Sequence, residues 1–384
     1  MRIPERIASI EPFLAMEALE RAYAMERAGA HVIHLEIGEP DFPAPPAVVD
    51  ACREALAAGE TRYTDSRGLP ELRAAIAADK ARRTGVRVDP EQVIVTSGTS
   101  PALLLVFSLL LEPGDEVIVP APHYACYPNF VRFAGGVPVA LPCDASGGWA
   151  VDPDAVRRAL TRRTRAIVLG SPANPTGAVQ PRAALKALAG LGVPLVADEV
   201  YDGLVYDGVH ATSALEVGDD VYVLDGFSKR HAMTGFRLGY AIAPRPALRT
   251  LQILAQNLFI SASEFVQKAG LAALAHGEAH VKAMCEAYAR RRDLLVAGLR
   301  ALDFGIAHAP HGAFYVFADA RRFDRDSRRL AARILDEAHV AVTPGVDFGA
   351  AGEGFLRFCY ANSEDALREA LARIGPVLET GVSG

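Results

Sequence analysis

The 384-residue sequence predicts an α/β fold, with a large domain built on a mostly parallel sheet flanked by helices and a smaller α+β domain after it. Between about residue 90 and residue 245, six short apolar runs alternate with helical patterns, as in a parallel sheet with crossover helices. Side chains capable of chemistry cluster just past the ends of those runs, where open α/β sheets bind ligands. From Gln252 onward the pattern is helical, and the last hundred or so residues mix strand candidates with helices.

Composition narrows the function classes. Apolar residues make up 51% of the chain, ample for two or three compact units. Forty basic against 46 acidic residues leave a net charge of −6, which gives no reason to expect a nucleic-acid partner. Arg290-Arg291-Arg292 reads as a solvated helix face. The five cysteines, Cys52, Cys126, Cys143, Cys285 and Cys359, are odd in number and widely spaced, so no metal site is expected and a reduced compartment fits best. No run approaches about 18 uninterrupted apolar residues, and no apolar run precedes Arg2, Glu5 and Arg6. The expectation is a soluble, cytoplasmic protein without a membrane partner.

Taken in order, a helical pattern over Pro12 to Ala30 leads to an extended run, His31 to Ile37, which the glycine and prolines of Gly38 to Pro43 close as a loop. Ala47 to Ala57 reads as a helix. Tyr63 to Pro70 introduces another, Glu71 to Arg83, with proline and an acid where a helix start tolerates them. Tyr63 by itself reads equally well as a core or surface residue. Val93 to Val95 is a strand, and the small residues Thr96-Ser97-Gly98-Thr99-Ser100-Pro101 lead into an apolar helix, Ala102 to Leu111. Converging N–H groups and the hydroxyls of Ser97 and Thr99 suit an anion there, although tight turns use the same residues. No dinucleotide or P-loop motif is present.

Strand Glu116 to Val119 is followed by His123, Tyr124 and Tyr127, any of which can lay a ring against a planar ligand. Strand Ala166 to Leu169 runs into Gly170 to Gly177, whose prolines and glycines fix an unusual backbone around Asn174. Pro194 to Ala197 is an apolar strand ending in Asp198. An acid there must be paired, or it serves as a helix cap. Strand Val221 to Leu224 ends in Asp225-Gly226-Phe227-Ser228-Lys229, with Arg237 eight residues later and a further apolar run to Pro244. A lysine amine so placed can form a Schiff base, and the planar fork of an arginine can hold a phosphate. In the last region Glu278 to Leu302, Asp326 to His339 and Glu364 to Leu378 read as helices, with strand candidates at Ala313 to Phe317 and Gly354 to Tyr360. Arg357 stands inside the second of these, where an unpaired guanidinium is costly, so it needs an anion.

The segment around Lys229 and Arg237 closely resembles the lysine motif of class I pyridoxal-phosphate aminotransferases. The resemblance extends in family order through Gly38, Tyr63, Ser97 to Thr99, Tyr124, Asn174, Asp198, Tyr201 and Arg357. It implies the fold type I architecture, with a seven-stranded type of sheet. It also implies an N-terminal arm over 1–45 joining the small domain, a large cofactor-binding domain over 46–280 and a small domain over 281–384.

By the same resemblance, pyridoxal 5'-phosphate is carried on Lys229 as an internal aldimine. Ser97, Gly98, Thr99, Ser228 and Arg237 surround its phosphate, joined by Tyr63 from a neighbouring subunit. Tyr124 stacks on the ring, Asn174 and Tyr201 bond its phenolic oxygen, and Asp198 keeps the ring nitrogen protonated. Gly226 stands where some branches carry a phosphate-binding serine, and Ser228 is the candidate replacement. Substrate would meet Gly38, Asn174 and Arg357, the last gripping the α-carboxylate.

The implied activity is ping-pong transamination between an L-amino acid and a 2-oxo acid, with the aspartate/2-oxoglutarate pair as the leading guess, in a homodimer with shared sites. A cofactor-dependent C–S β-lyase shares the lysine and is the alternative; a non-enzymatic regulator with this fold is a further one.

Overall fold

The structure, a computed structural model, describes residues 3–379. Its centre is a seven-stranded sheet in the order Val93–Thr96, Gly239–Ile242, Val221–Gly226, Leu195–Asp198, Thr164–Gly170, Glu116–Ala121, Val137–Pro142. Every neighbouring pair is parallel except those made by Gly239–Ile242, which runs against both of its neighbours.

Because successive strand residues point to opposite faces, each apolar run feeds two cores. Val93, Val95, Ile167 and Val223 pack with Val48, Leu72, Leu185 and Val266 of the helices on one face. Ile94, Val168, Tyr222 and Leu224 pack with Val106, Val131 and Leu251 of those on the other.

A third core gathers the long helix Glu278–Ala301, the helix Glu364–Glu379 and an antiparallel sheet in the order Thr343–Pro344, Phe355–Cys359, Tyr315–Asp319. Ile33 and Leu35 belong to it, and Ile33–His34 pairs in parallel with Val340–Ala341. So do Val200, Tyr201, Leu204 and Tyr206, just past the strand that ends at Asp198. The chain therefore passes at Asp198 from the sheet, whose Val196 and Ala197 belong to the two sheet-face cores, into this third core.

Several elements differ from expectation. Val137–Pro142, Val-Pro-Val-Ala-Leu-Pro, is a strand not expected from the sequence: two of its six residues are prolines, which argue against a central strand but which an edge strand tolerates, and none of its residues is fully buried. The apolar helix starts at Thr99, three residues earlier than its apolar stretch, because Pro101 in its first turn loses no hydrogen bond. The helix expected over Asp326 to His339 is α-helical only over Ser327–Arg333 and widens to a π turn over Ile334–Ala338. Among the described residues, no helix is long and apolar enough to cross a membrane.

Candidate active site

At the C-terminal edge of the parallel strands lies a cavity of about 290 Å³. Because Gly239–Ile242 runs in reverse, its entry comes to the same edge, and Arg237 arrives beside Thr99, Ser100, Ser228 and Lys229, which follow parallel strands. Gly38, Tyr124, Asn174, Asp198, Tyr201 and Arg357 also line this cavity. Residues separated by more than 300 positions in the chain thus share one wall.

The close approach on the Arg237 side depends on glycine. Gly98 caps the helix Thr99–Leu110 at φ 99°, and a Cβ there would lie 2.7 Å from Arg237 Nη2. A Cβ on Gly239 would lie 2.6 Å from the Gly98 carbonyl carbon. Arg237, itself at φ 54°, donates to the Thr234 carbonyl at 2.9 Å. A helix N-terminus, three hydroxyls and a guanidinium therefore face one corner, which is an anion site. Ser97 does not line the cavity; it borders a separate small one with Phe259, Ile260 and Ser261. Ser100, which lines the site, was passed over in the sequence because its run of small residues gives no sign of where the helix begins.

Lys229 donates from Nζ to the Gly38 carbonyl at 2.6 Å. Burial pushes its ammonium down to about 8, with Arg237 and Arg357 acting in the same direction against Glu39. A minor fraction of the amine, about a tenth at pH 7, is thus unprotonated, far more than for an ordinary lysine, as a nucleophile requires. Gly38 must be glycine, because a Cβ would lie 2.0 Å from the Tyr315 hydroxyl. That hydroxyl pairs with Tyr201's at 2.6 Å.

Asp198 is buried as its strand ends. Burial lifts its carboxyl to about 6, against the Tyr127 hydroxyl donating at 2.8 Å and the Val200 amide at 3.2 Å. Tyr124 packs edge-on to Tyr127, with ring centroids 5.3 Å apart. His123 instead borders a neighbouring small cavity and bonds the Tyr124 carbonyl through Nδ1 at 3.0 Å. Tyr127 thus holds the acid, a role nothing in its spacing signalled.

Arg357 is 2% exposed, yet among the described residues it makes no ion pair with a carboxylate. Nη1 donates to Asn174 Oδ1 at 2.9 Å, Nη2 donates to Thr343 Oγ1 at 3.0 Å and to the Glu36 carbonyl, and Nε is unpartnered. Tyr315 and Phe348 face its guanidinium with centroids at 4.5 and 5.0 Å. The internal acidic partner that would make Arg357 purely structural is absent among these contacts, so its charge is left for a ligand. Tyr63, by contrast, is 81% exposed and lies outside the cavity of its own chain. Among the described residues no group of three or more His, Cys, Asp and Glu is placed to hold a metal ion.

A nucleophilic lysine, a buried acid and an anion corner at the ligand edge of this sheet define a transferase that works through a carbonyl cofactor. The comparisons agree. The profile of "Aminotransferase class I and II" matches residues 30–374, and the chain belongs to that family. Its sequence is 43% identical over 383 residues to the aspartate/prephenate aminotransferase of Thermus thermophilus, covering 98% of each chain. It is 38% identical over 378 residues to the (5-formylfuran-3-yl)methyl phosphate transaminase of Methanocaldococcus jannaschii, covering 97% of this chain and 98% of that protein. The solved aspartate aminotransferase from Thermus thermophilus with maleate superposes with a TM-score of 0.93, covering 98% of this chain and 100% of that one. The protein is an aminotransferase of the fold type I, aspartate-aminotransferase-like group, whose members use pyridoxal phosphate.

Proposed function

We propose that this chain binds pyridoxal 5'-phosphate on Lys229 and transfers an amino group from an L-amino acid to a 2-oxo acid by ping-pong kinetics. The observation that carries this reading is the convergence on one cavity of a lysine with a depressed pKa, a buried acid with a raised one and an arginine without a carboxylate partner. The residues suit the cofactor. Thr99, Ser100, Ser228 and Arg237 would receive its phosphate over Gly98, Tyr124 and Val200 would flank its ring, Asp198 would meet the ring nitrogen, and Asn174 and Tyr201 the phenolic oxygen. Bound there, pyridoxal phosphate supplies an aldehyde and an electron-accepting ring.

The chain's own residues supply the rest. Arg357 holds the α-carboxylate through its planar fork, already aligned by Asn174, Thr343 and the Glu36 carbonyl. Lys229, released when substrate binds, carries the α-proton as base and then as acid, a task matched by a pKa near neutrality. Asp198, kept from water, would hold a proton on the ring nitrogen of the bound cofactor.

A homodimer fits this reading. Exposed Tyr63 sits on a segment tied to the start of the helix Glu264–His276, Thr64 N donating to Ser261 Oγ at 3.2 Å and Arg62 N to Glu264 Oε2 at 3.0 Å. Leu258, Phe259 and Ile260, also exposed, lie just before Ser261, so the segment carrying Tyr63 is tied to an exposed apolar run that a second copy would cover. The division into 1–45, 46–280 and 281–384 follows from the same reading, since Ile33 and Leu35 pack into the third core.

Aspartate with 2-oxoglutarate is the leading donor and acceptor pair, from the named relatives. A second reading of the donor comes from the cavity wall. The three cations that line it, Lys229, Arg237 and Arg357, all have tasks, and Phe13, Ala15, Met16 and Ile37 form an apolar side. An uncharged side chain suits that side, whereas a second carboxylate needs a cation brought by the other subunit.

The deciding experiment is the absorption spectrum of purified protein before and after adding single amino acids without a 2-oxo acid. Conversion of a visible band to a near-ultraviolet one, with one equivalent of 2-oxo acid released per site, supports transamination, and the most effective amino acid is the donor. Continuous release with the band retained supports the lyase. Absence of a band after pyridoxal phosphate is added, or its persistence in Lys229→Ala, overturns the proposal.

A further inference from the structure

A second polar cluster lies behind the ligand edge, on residues that none of the steps above uses. Lys80, on the helix Pro70–Thr84, is fully buried, and its Nζ lies 2.7 Å from Asp225 Oδ2, 2.9 Å from Glu199 Oε2 and 3.1 Å from Asp202 Oδ2. Glu199 also accepts from Ser213 Oγ at 2.8 Å and from the Ala214 amide at 2.8 Å. Asp225 accepts from the Tyr240 hydroxyl at 2.8 Å and has Arg83 Nη2 at 3.6 Å. Arg83 pairs further with Asp202 and, at 2.8 Å, with Asp79; Arg230 pairs with Asp79 at 2.9 Å and with exposed Glu278 at 3.0 Å. Asp79 also pairs with the exposed Arg82; leaving the exposed Arg82 and Glu278 aside, four carboxylates face three cations.

Such an arrangement is a poor way to gain stability, because desolvating the charges offsets most of their attraction and apolar residues of similar size do as well. Its position is more informative. Glu199 follows Asp198, Asp202 follows Tyr201, Arg230 follows Lys229, and Asp225 lies on the strand leading to Lys229. The two strands concerned are neighbours, with Asp198 opposite Leu224 and the Glu199 amide donating to the Leu224 carbonyl at 2.7 Å. The Lys80 ammonium therefore fastens the end of one strand to the end of the next.

Resting on the roles given above to Asp198 and Lys229, we propose that Lys80 is a positioning residue for the aminotransferase reaction: its ionic junction fixes Asp198 relative to Lys229 and sets the electrostatic potential at the cofactor ring. The charges of Glu199 and Asp225 reach Asp198, adding to the burial that raises its proton affinity. Lys80, which burial alone would deprotonate, is held charged by Asp225, Glu199 and Asp202. Removing the ammonium leaves its three carboxylates short of a cation and makes the site more negative. Removing one carboxylate does the reverse.

The test compares Lys80→Met, Asp202→Asn and the pair. One readout is the pH midpoint of the visible band of the holoenzyme; the other is the dissociation constant of cofactor-free protein for pyridoxal phosphate, followed by fluorescence. The visible band belongs to a protonated, cationic form, so a more negative site raises its midpoint. Lys80→Met is expected to raise it by about half a pH unit and weaken cofactor binding about tenfold, Asp202→Asn to lower it, and the pair to return close to wild type. Glu39, Arg237 and Arg357, which face Lys229 directly, are unchanged in every variant. If Lys80→Met fails to fold, the downward shift in Asp202→Asn decides. Unchanged midpoints and affinities alongside lowered melting temperatures would reduce the junction to a structural brace, whereas a wild-type protein with no band would instead defeat the proposed function.

Discussion

Asp198 stands where a carboxylate is costly. Its carboxyl is raised from an ordinary 3.8 to about 6, chiefly by burial, so the empty folded protein binds this proton more tightly than the unfolded chain does. The sign follows from that: stability is undiminished below about pH 4, falls as the pH rises from there to about 6, and is lowered above that by about 3 kcal/mol. Asp198→Asn should therefore raise the melting temperature of cofactor-free protein by a few degrees at pH 7.5 and by much less at pH 4.5, while cutting transamination at least about a hundredfold. Calorimetry at the two pH values checks this; a lower melting temperature at pH 7.5 would contradict it. The cost is compatible with function because a ring-nitrogen proton would offset it when the cofactor is bound. Lys229 is displaced in the other direction, and both residues could be picked out from sequence as charges set at buried strand ends.

At the scale of elements, the anion corner depends on a strand and a helix meeting without side chains between them. A Cβ on Gly239 would lie 2.6 and 2.7 Å from the Gly98 carbonyl carbon and the Thr99 nitrogen, both backbone atoms that have little room to yield. Gly239→Ala should part the strand from the helix N-terminus and weaken binding of pyridoxal phosphate by about tenfold or more, while barely changing that of pyridoxal, which lacks the phosphate. Equal losses for both would show a general distortion instead. This contact also marks the limit of what the sequence discloses. The strands with continuous apolar runs were legible, as were the motifs that follow them, because burial on both faces leaves a plain signature. The edge strand Val137–Pro142 is apolar too, but its two prolines read as a loop. Tyr315 and Thr343 were not legible as parts of the site either, and Tyr127 was legible only as a candidate ring against the ligand, since each holds another site residue through a contact that arises only once distant segments meet.

The molecule as a whole combines two sheet-face cores and a third that the chain enters after Asp198 with an exposed tyrosine on a segment tied to the exposed apolar run Leu258 to Ile260. If Tyr63 completes the site of a second copy, mixing Tyr63→Ala with Lys229→Ala and letting subunits exchange must create hybrid dimers with one intact site. Recovered activity should approach about a quarter of wild type, since half of the dimers are hybrids with one working site of two. No recovery after exchange shown by mass would place Tyr63 in its own chain's site or in none.

The reversed strand has a consequence for the order in which this protein comes into being. Val93–Thr96 is the first strand of the large sheet to be synthesised, and its sole neighbour there, Gly239–Ile242, is the last. While the intervening residues are still being added, the earliest strand has nothing to pair with, and Thr99 has no Arg237 beside it. A growing chain thus acquires its place for a phosphate only at the closing stitch of the sheet, after every other strand has been made.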